Sequence, residues 1–124
     1  MASNFEELRI WQEAHKLMLE IYNITKDFPK SEIYSLTSQL RRAALSVPAN
    51  IAEAHGRYHD AETIHFLFNA RGSAEEVRSL LYASRDITEV RLSKPKFDDL
   101  NQRYLKLIRG INSFVRTIKT RSTD

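Results

Sequence analysis

The chain has 124 residues, a length typical of one domain, and 42% of them are hydrophobic, which suits a buried core. It has no Cys, so disulfides and thiolate metal sites are excluded, and it has only three Gly and three Pro, which favours long regular elements. No apolar run approaches the roughly 20 residues that span a bilayer, and the acidic N-terminus lacks the pattern of a secretory signal. We therefore expect a single cytoplasmic domain over residues 1–124, without a membrane partner.

The net charge of +3 is unevenly distributed along the chain. Residues 1–90 carry ten Lys and Arg against thirteen Asp and Glu, whereas residues 91–124 carry nine against three. A basic final quarter can contact phosphates or an acidic protein. It can equally form the solvated outer face of a helix, and composition alone does not choose between these alternatives.

The first helical segment is predicted over about residues 5–27, with a capping-box spacing at Ser3 and Glu6 or at Asn4 and Glu7. One apolar stripe at helical spacing consists of Ile10, Ala14, Leu17, Ile21, Ile24 and Phe28. A second stripe beside it consists of Leu8, Trp11, His15, Met18 and Tyr22. Together the stripes are wider than one bundle seam requires. Either the helix is deeply buried, or the second stripe faces another subunit, with Leu8, Trp11, Met18 and Tyr22 as candidate interface residues.

Three further helical segments are predicted over about residues 35–55, 60–90 and 96–120, each with an apolar face at helical spacing. Pro48 lies inside the second segment and should kink it, because proline removes one backbone hydrogen bond. No stretch has a convincing strand pattern. Short links join the segments, so consecutive helices should be antiparallel neighbours. The predicted fold is an all-α, antiparallel up-down-up-down four-helix bundle.

A row of polar residues runs beside the apolar seam of the second segment: Gln39, Arg42, Ser46, Asn50 and Glu53. The third segment carries a matching row: Asn69, Ser73 and Glu76. We expect a buried hydrogen-bonded network between the two helices, in which Arg42 pairs with Glu76 or Glu53. Gly72 in mid-helix suggests a close backbone approach nearby. The alternative is two solvated faces.

The fourth segment carries cationic side chains on the arc opposite its apolar seam. Arg103, Lys106, Arg109 and Arg116 form this arc, and Lys119 and Arg121 extend the basic region towards the end of the chain. We take the first four and Lys119 as candidate nucleic-acid contacts, through phosphate rather than base recognition.

Catalytic arrangements are weak in this sequence. His55 and His59 are four residues apart, but the intervening Gly56 favours a helix end rather than a metal site. The pattern Glu-x-x-His at residues 62–65 occurs once, whereas di-iron bundles need two such motifs and two further glutamates. There is no glycine-rich phosphate loop and no nucleophile elbow. We predict a protein that is not an enzyme and needs no cofactor or metal.

The polar row lies within the most distinctive stretch of the chain, residues 39–44 (QLRRAA) and 46–53 (SVPANIAE), which is supported by residues 72–76 (GSAEE). This stretch resembles the hallmark of four-helix-bundle proteins encoded in intervening sequences of bacterial 23S rRNA genes, often labelled S23 ribosomal protein. The resemblance covers about residues 5–90 and extends to the accessory protein of diversity-generating retroelements. It implies a ring-like homopentamer and no known catalysis.

The resemblance also implies partners. For the retroelement relatives these are nucleic acid, met by a positively charged surface, and a reverse transcriptase. Two hypotheses follow for this chain: a homo-oligomer that is associated with rRNA or other nucleic acid through its basic face, and a scaffold that binds only protein. Strong salt dependence of RNA or DNA binding would separate them.

Overall fold

The computed structural model describes residues 3–123, with side chains described up to Arg121, and consists of helices joined by short connections. The four long helices are α1 (Arg9–Thr25), α2 (Leu36–His55), α3 (Asp60–Asp86) and α4 (Lys94–Thr123). Two single 3₁₀ turns, Phe5–Glu7 and Lys30–Glu32, precede α1 and α2. The described residues contain no strand.

Each helix packs against two neighbours in a closed circle, α1 on α2, α2 on α3, α3 on α4 and α4 on α1. Two side-chain hydrogen bonds show that α3 and α4 are antiparallel, because Arg71 of α3 contacts Asn112 whereas Arg78, further along α3, contacts Asn101. The inward faces form one hydrophobic core, in which Leu17, Leu40, Leu81 and Ile111 are almost fully enclosed. The predicted up-down-up-down four-helix bundle is confirmed.

The helix boundaries differ slightly from the predicted ones, for local reasons. Glu7 accepts a hydrogen bond from the backbone N–H of Asn4 at 3.0 Å, so the capping interaction forms around the 3₁₀ turn. Leu8 is then extended, and α1 starts only at Arg9. At the other end of the molecule, Ile87 is extended and terminates α3 before the predicted residue 90. Pro48 lies inside α2, as predicted.

The seam between α2 and α3 is the most extensive of the four. The two helices also bury five alanines: Ala43, Ala44 and Ala54 of α2, and Ala70 and Ala74 of α3. The expectation that Gly72 permits a close backbone approach here is wrong, because a Cβ on Gly72 would meet nothing within 4 Å. The close approach is at Gly110 of α4, where a Cβ would lie 3.3 Å from Cγ2 of Ile10 in α1.

Arg41, rather than Arg42, ties α2 to its neighbour. Its Nε donates to Thr25 Oγ1 at 2.8 Å, and its guanidinium lies 4.7 Å from the ring centroid of Tyr22. We expect Arg41→Ala to lower the free energy of unfolding by about 1–2 kcal/mol, because a half-buried charged bond and a cation–π contact are lost. Arg42→Ala should change it by less than about 0.5 kcal/mol, because Arg42 is exposed. Urea denaturation of the two variants tests this order, and equal midpoints would contradict it.

Tyr104 is the largest fully enclosed side chain, and its hydroxyl has no hydrogen-bond partner among the described residues. Burial raises the pKa of Tyr104 well above its ordinary value of 10.0. The folded chain then keeps the proton while the unfolded chain releases it. Stability is therefore fully present below pH 10 and is lost as pH rises above it, by about 1.4 kcal/mol per pH unit.

The Tyr104→Phe variant should lack this alkaline loss of stability. The measurement is the thermal unfolding midpoint of both proteins, taken in steps of about one pH unit between pH 8 and pH 12. The difference between them should be constant up to about pH 10 and then grow in favour of Phe. Parallel curves over the whole range would show that Tyr104 ionises equally in both states.

Candidate nucleic-acid interface

The outer face of α4 presents three exposed cations, Lys106, Arg109 and Arg116. None of them forms an ion pair with a residue that the structure describes. The apolar residues of α4, from Leu100 to Ile118, take the opposite face into the core and so fix these side chains outward. These three predicted residues therefore form an outer cationic row, available to phosphates.

The other two predicted contacts have different surroundings. Arg103 is half-buried, and its guanidinium lies 3.3 Å from Asp99 and 4.0 Å from Glu20 of α1, so its charge is already balanced. The Nζ of Lys119 lies 5.6 Å from the ring centroid of Phe68 in α3. Lys119 thus belongs to the α3–α4 seam, whereas Arg103 belongs to the α1–α4 seam.

A groove of about 560 Å³ runs along the α1–α4 seam beside the outer cationic row. Arg9 and Lys16 of α1 line it opposite Lys106 of α4. Lys16 lies 3.8 Å from Glu13, which offsets part of its charge. Arg9 is exposed and forms no ion pair with a described residue. It adds a cation from a helix that the sequence analysis assigned only to packing.

Arg71 of α3 is a second cation that the sequence analysis missed. Its guanidinium lies 4.4 Å from the ring centroid of Phe68, and its Nη1 donates to Asn112 Oδ1 of α4 at 2.9 Å. Phe68 and Arg71 are three residues apart on a helix, a spacing that brings side chains together. That spacing is visible in the sequence, but the bond to Asn112 requires the fold.

The predicted buried polar network is reduced to three residues. Asn50 Nδ2 donates to the backbone oxygen and the hydroxyl of Ser46, at 2.8 and 3.0 Å, and Ser73 donates to the same hydroxyl at 2.9 Å. The expectation that Arg42 forms a buried ion pair is wrong, because Arg42 is exposed. The remaining members of the two rows are exposed: Gln39, Arg42, Glu53, Asn69 and Glu76.

Position on the helix separates the two groups. Ser46, Asn50 and Ser73 lie half-buried beside the contact between α2 and α3, whereas the other members of both rows lie on the solvent side. Glu53 instead pairs with Arg57, one turn further along at 2.6 Å. The alternative of two solvated faces, left open by the sequence, holds for most of both rows.

The second stripe of α1 is mostly occupied within the subunit. Met18 is only 9% exposed and lies in the core, so it is withdrawn as an interface residue. Leu8, Trp11 and Tyr22 are half-buried against the core, and the Trp11 ring stacks on His15 with centroids 4.8 Å apart. The next residue after Met18, Leu19, is the one that is exposed, at 53%.

An exposed apolar surface nevertheless exists across α1 and α2. Leu45 of α2 is 44% exposed and Ile33 is 51% exposed, and both line a depression with Tyr22. Leu19 lies one helical turn from Tyr22. We call these four residues the α1–α2 apolar face. It shares only Tyr22 with the interface residues predicted from the sequence.

The part of the chain that the structure describes contains neither a metal-binding cluster nor a helix suited to a membrane. The described His, Asp and Glu side chains form no group of three or more that could hold a metal ion. None of the described helices combines the length and the apolar character that crossing a bilayer requires.

Comparison with known proteins connects the bundle to a family. The family model for the 23S rRNA-intervening sequence protein matches residues 6–113, which include parts of all four helices. The chain belongs to this family. The match extends through α4 to residue 113, beyond the stretch that carried the resemblance in the sequence. No match was found among curated protein sequences.

A solved structure has the same fold as this family member. It is a protein with unknown function of the S23 ribosomal protein family from Bacteroides thetaiotaomicron VPI-5482, with a TM-score of 0.76. The two sequences are 17% identical, over 86% of this chain and 97% of the other. At that identity the likeness establishes the four-helix fold alone.

Proposed function

We propose that this intervening-sequence protein is a non-enzymatic homo-oligomer that binds rRNA or other nucleic acid through the outer face of α4. The observation that carries the proposal is the outer cationic row. Lys106, Arg109 and Arg116 point into solvent without an acidic partner among the described residues, and Arg9 adds a cation across the α1–α4 groove. Exposed cations without partners favour contact with phosphates.

Oligomerisation would make such a modest patch effective. The α1–α2 apolar face offers a contact surface for a second copy, and the family resemblance favours five subunits. In a closed ring the cationic row repeats by symmetry. Weak phosphate contacts on several subunits then add through effective concentration, so binding of micromolar strength is expected without base recognition. A reverse transcriptase or another ribonucleoprotein component is the protein partner that the same resemblance favours.

The test is fluorescence anisotropy of labelled RNA and DNA, titrated with the purified protein at salt concentrations from about 50 to 200 mM. Affinity should fall steeply over that range, because each neutralised phosphate releases counterions. Different sequences of equal length should bind equally well. If the wild type binds neither RNA nor DNA at about 50 mM salt, the protein-only scaffold replaces this proposal.

A further inference from the structure

Two cations share the ring of Phe68 on the α3–α4 seam. Arg71 lies 4.4 Å and Lys119 lies 5.6 Å from the ring centroid, so the charges are separated by at most the sum of these distances, 10.0 Å. That upper limit is about one Debye length at 0.1 M ionic strength. Like charges this close repel one another, and an anion placed beside both would relieve the repulsion.

Among the side chains that the structure describes, no carboxylate supplies that anion. Arg71 and Lys119 form no ion pair with a described residue, and the partner of Arg71 on α4 is the neutral amide of Asn112. Glu75 lies one turn from Arg71 but bonds to Arg78 at 2.6 Å. Within residues 3–121, neither cation at the Phe68 ring is therefore held in an ion pair.

Arg71 is also held in place before any ligand arrives. Its bond to Asn112 and its position against the Phe68 ring fix a planar guanidinium at the seam, half-buried. A fixed guanidinium loses less side-chain entropy on binding than a free lysine, and its fork of N–H donors matches phosphate oxygens. Lys119 adds a second positively charged group, on a flexible side chain.

We propose that Arg71, Lys119 and the Phe68 ring form a contact site for a phosphodiester group of nucleic acid, which we call the Phe68 site. The inference rests on the proposed function and deepens it, since it moves part of the contact from α4 to α3. Within the site Arg71 holds the phosphate oxygens, Lys119 contributes charge, and Asn112 positions Arg71.

The chain provides a matched control for this site. Arg78 lies two turns along α3 from Arg71 and donates to Asn101 Oδ1 of α4 at 2.9 Å, just as Arg71 donates to Asn112. It differs in having Glu75 as an acidic partner. Arg71→Gln and Arg78→Gln therefore remove similar bonds between α3 and α4, but only the first removes an uncompensated charge.

The experiment is anisotropy with a fluorescein-labelled poly-uridine RNA over a salt series, on the full chain. Arg71→Gln should weaken binding about three- to tenfold and make the plot of log affinity against log salt shallower by about 0.7, the value for one contact with a single strand. Arg71→Lys should keep the slope but bind more weakly than the wild type, because the fork is lost. Arg78→Gln should match the wild type in both.

Thermal unfolding midpoints of Arg71→Gln and Arg78→Gln measure the structural cost separately. If the two variants bind RNA equally, the inference is overturned, whatever their midpoints. If Arg71→Gln binds like the wild type while loss of the outer cationic row abolishes binding, the proposed function stands and the Phe68 site falls. If the wild type itself does not bind RNA, both are overturned.

Discussion

Replacing Lys106, Arg109 and Arg116 together by Gln should weaken RNA binding at low salt by about a hundredfold, because the contacts repeat in every subunit of an oligomer. The plot of log affinity against log salt should become shallower by at least about two, at roughly 0.7 for each lost contact with a single strand. All three side chains are exposed, so helicity and oligomeric state should be unchanged.

Arg103→Gln is the matched control for this variant. Arg103 lies on the same helix but is balanced by Asp99 and Glu20, so its removal deletes little free positive charge. We expect RNA affinity within about twofold of the wild type, as for a contact that neutralises no phosphate. Equal losses in the single and the triple variant would mean that the outer cationic row is not the contact surface.

Leu19→Glu should convert the proposed oligomer to monomers. Leu19 is 53% exposed in the single subunit, so a charge there is tolerated by the isolated bundle. At an interface the same charge would be buried without a partner, and the burial of an apolar side chain, about 1.5–3 kcal/mol, would be lost as well. Because this cost is repeated in each subunit, we expect it to prevent assembly. Sedimentation equilibrium at micromolar concentration gives the mass.

Tyr58→Glu is the control for Leu19→Glu. Tyr58 is 92% exposed beyond the end of α2, away from the α1–α2 apolar face, so its replacement should leave the mass unchanged. Trp11, the single tryptophan, lies on α1 two turns from Leu19, and its fluorescence gives a second reading of assembly. A wild type that sediments as a monomer would remove the oligomer from the proposed function.

Periodicity predicted the architecture well because apolar spacing reports the buried face of a helix directly. Leu40, Val47 and Ile51, which lie on the apolar face of the second predicted segment, are all fully buried. The short links between the segments were enough to predict that consecutive helices are antiparallel neighbours. The family resemblance, carried by residues 39–53, agrees with the family model that matches residues 6–113.

The burial of polar residues was harder to predict from the sequence. A small rotation of the helix decides whether a polar row beside the apolar seam faces the core or the solvent. Arg42 and Arg41 are adjacent in sequence, and the choice between them depends on where α1 lies. The structure places Thr25 and Tyr22 beside Arg41 and leaves Arg42 in solvent. The same uncertainty applies to α1, where Met18 was predicted as a candidate interface residue and its neighbour Leu19 is exposed instead. Contacts between helices, such as Arg71 with Asn112, have no signature in a single sequence.

The seam between α1 and α4 has a consequence for how the bundle opens. It is the least extensive of the four seams, and it joins the first helix to the last, so closing it costs the most chain entropy. Elements with few packed contacts open most readily. A nucleic-acid strand that contacts both Arg9 and Lys106 would bridge this seam. Because it would hold the two helices together, amide hydrogen exchange should slow in α1 as well as in α4. Bound nucleic acid would then stabilise the contact between α1 and α4 and reduce local opening of the bundle.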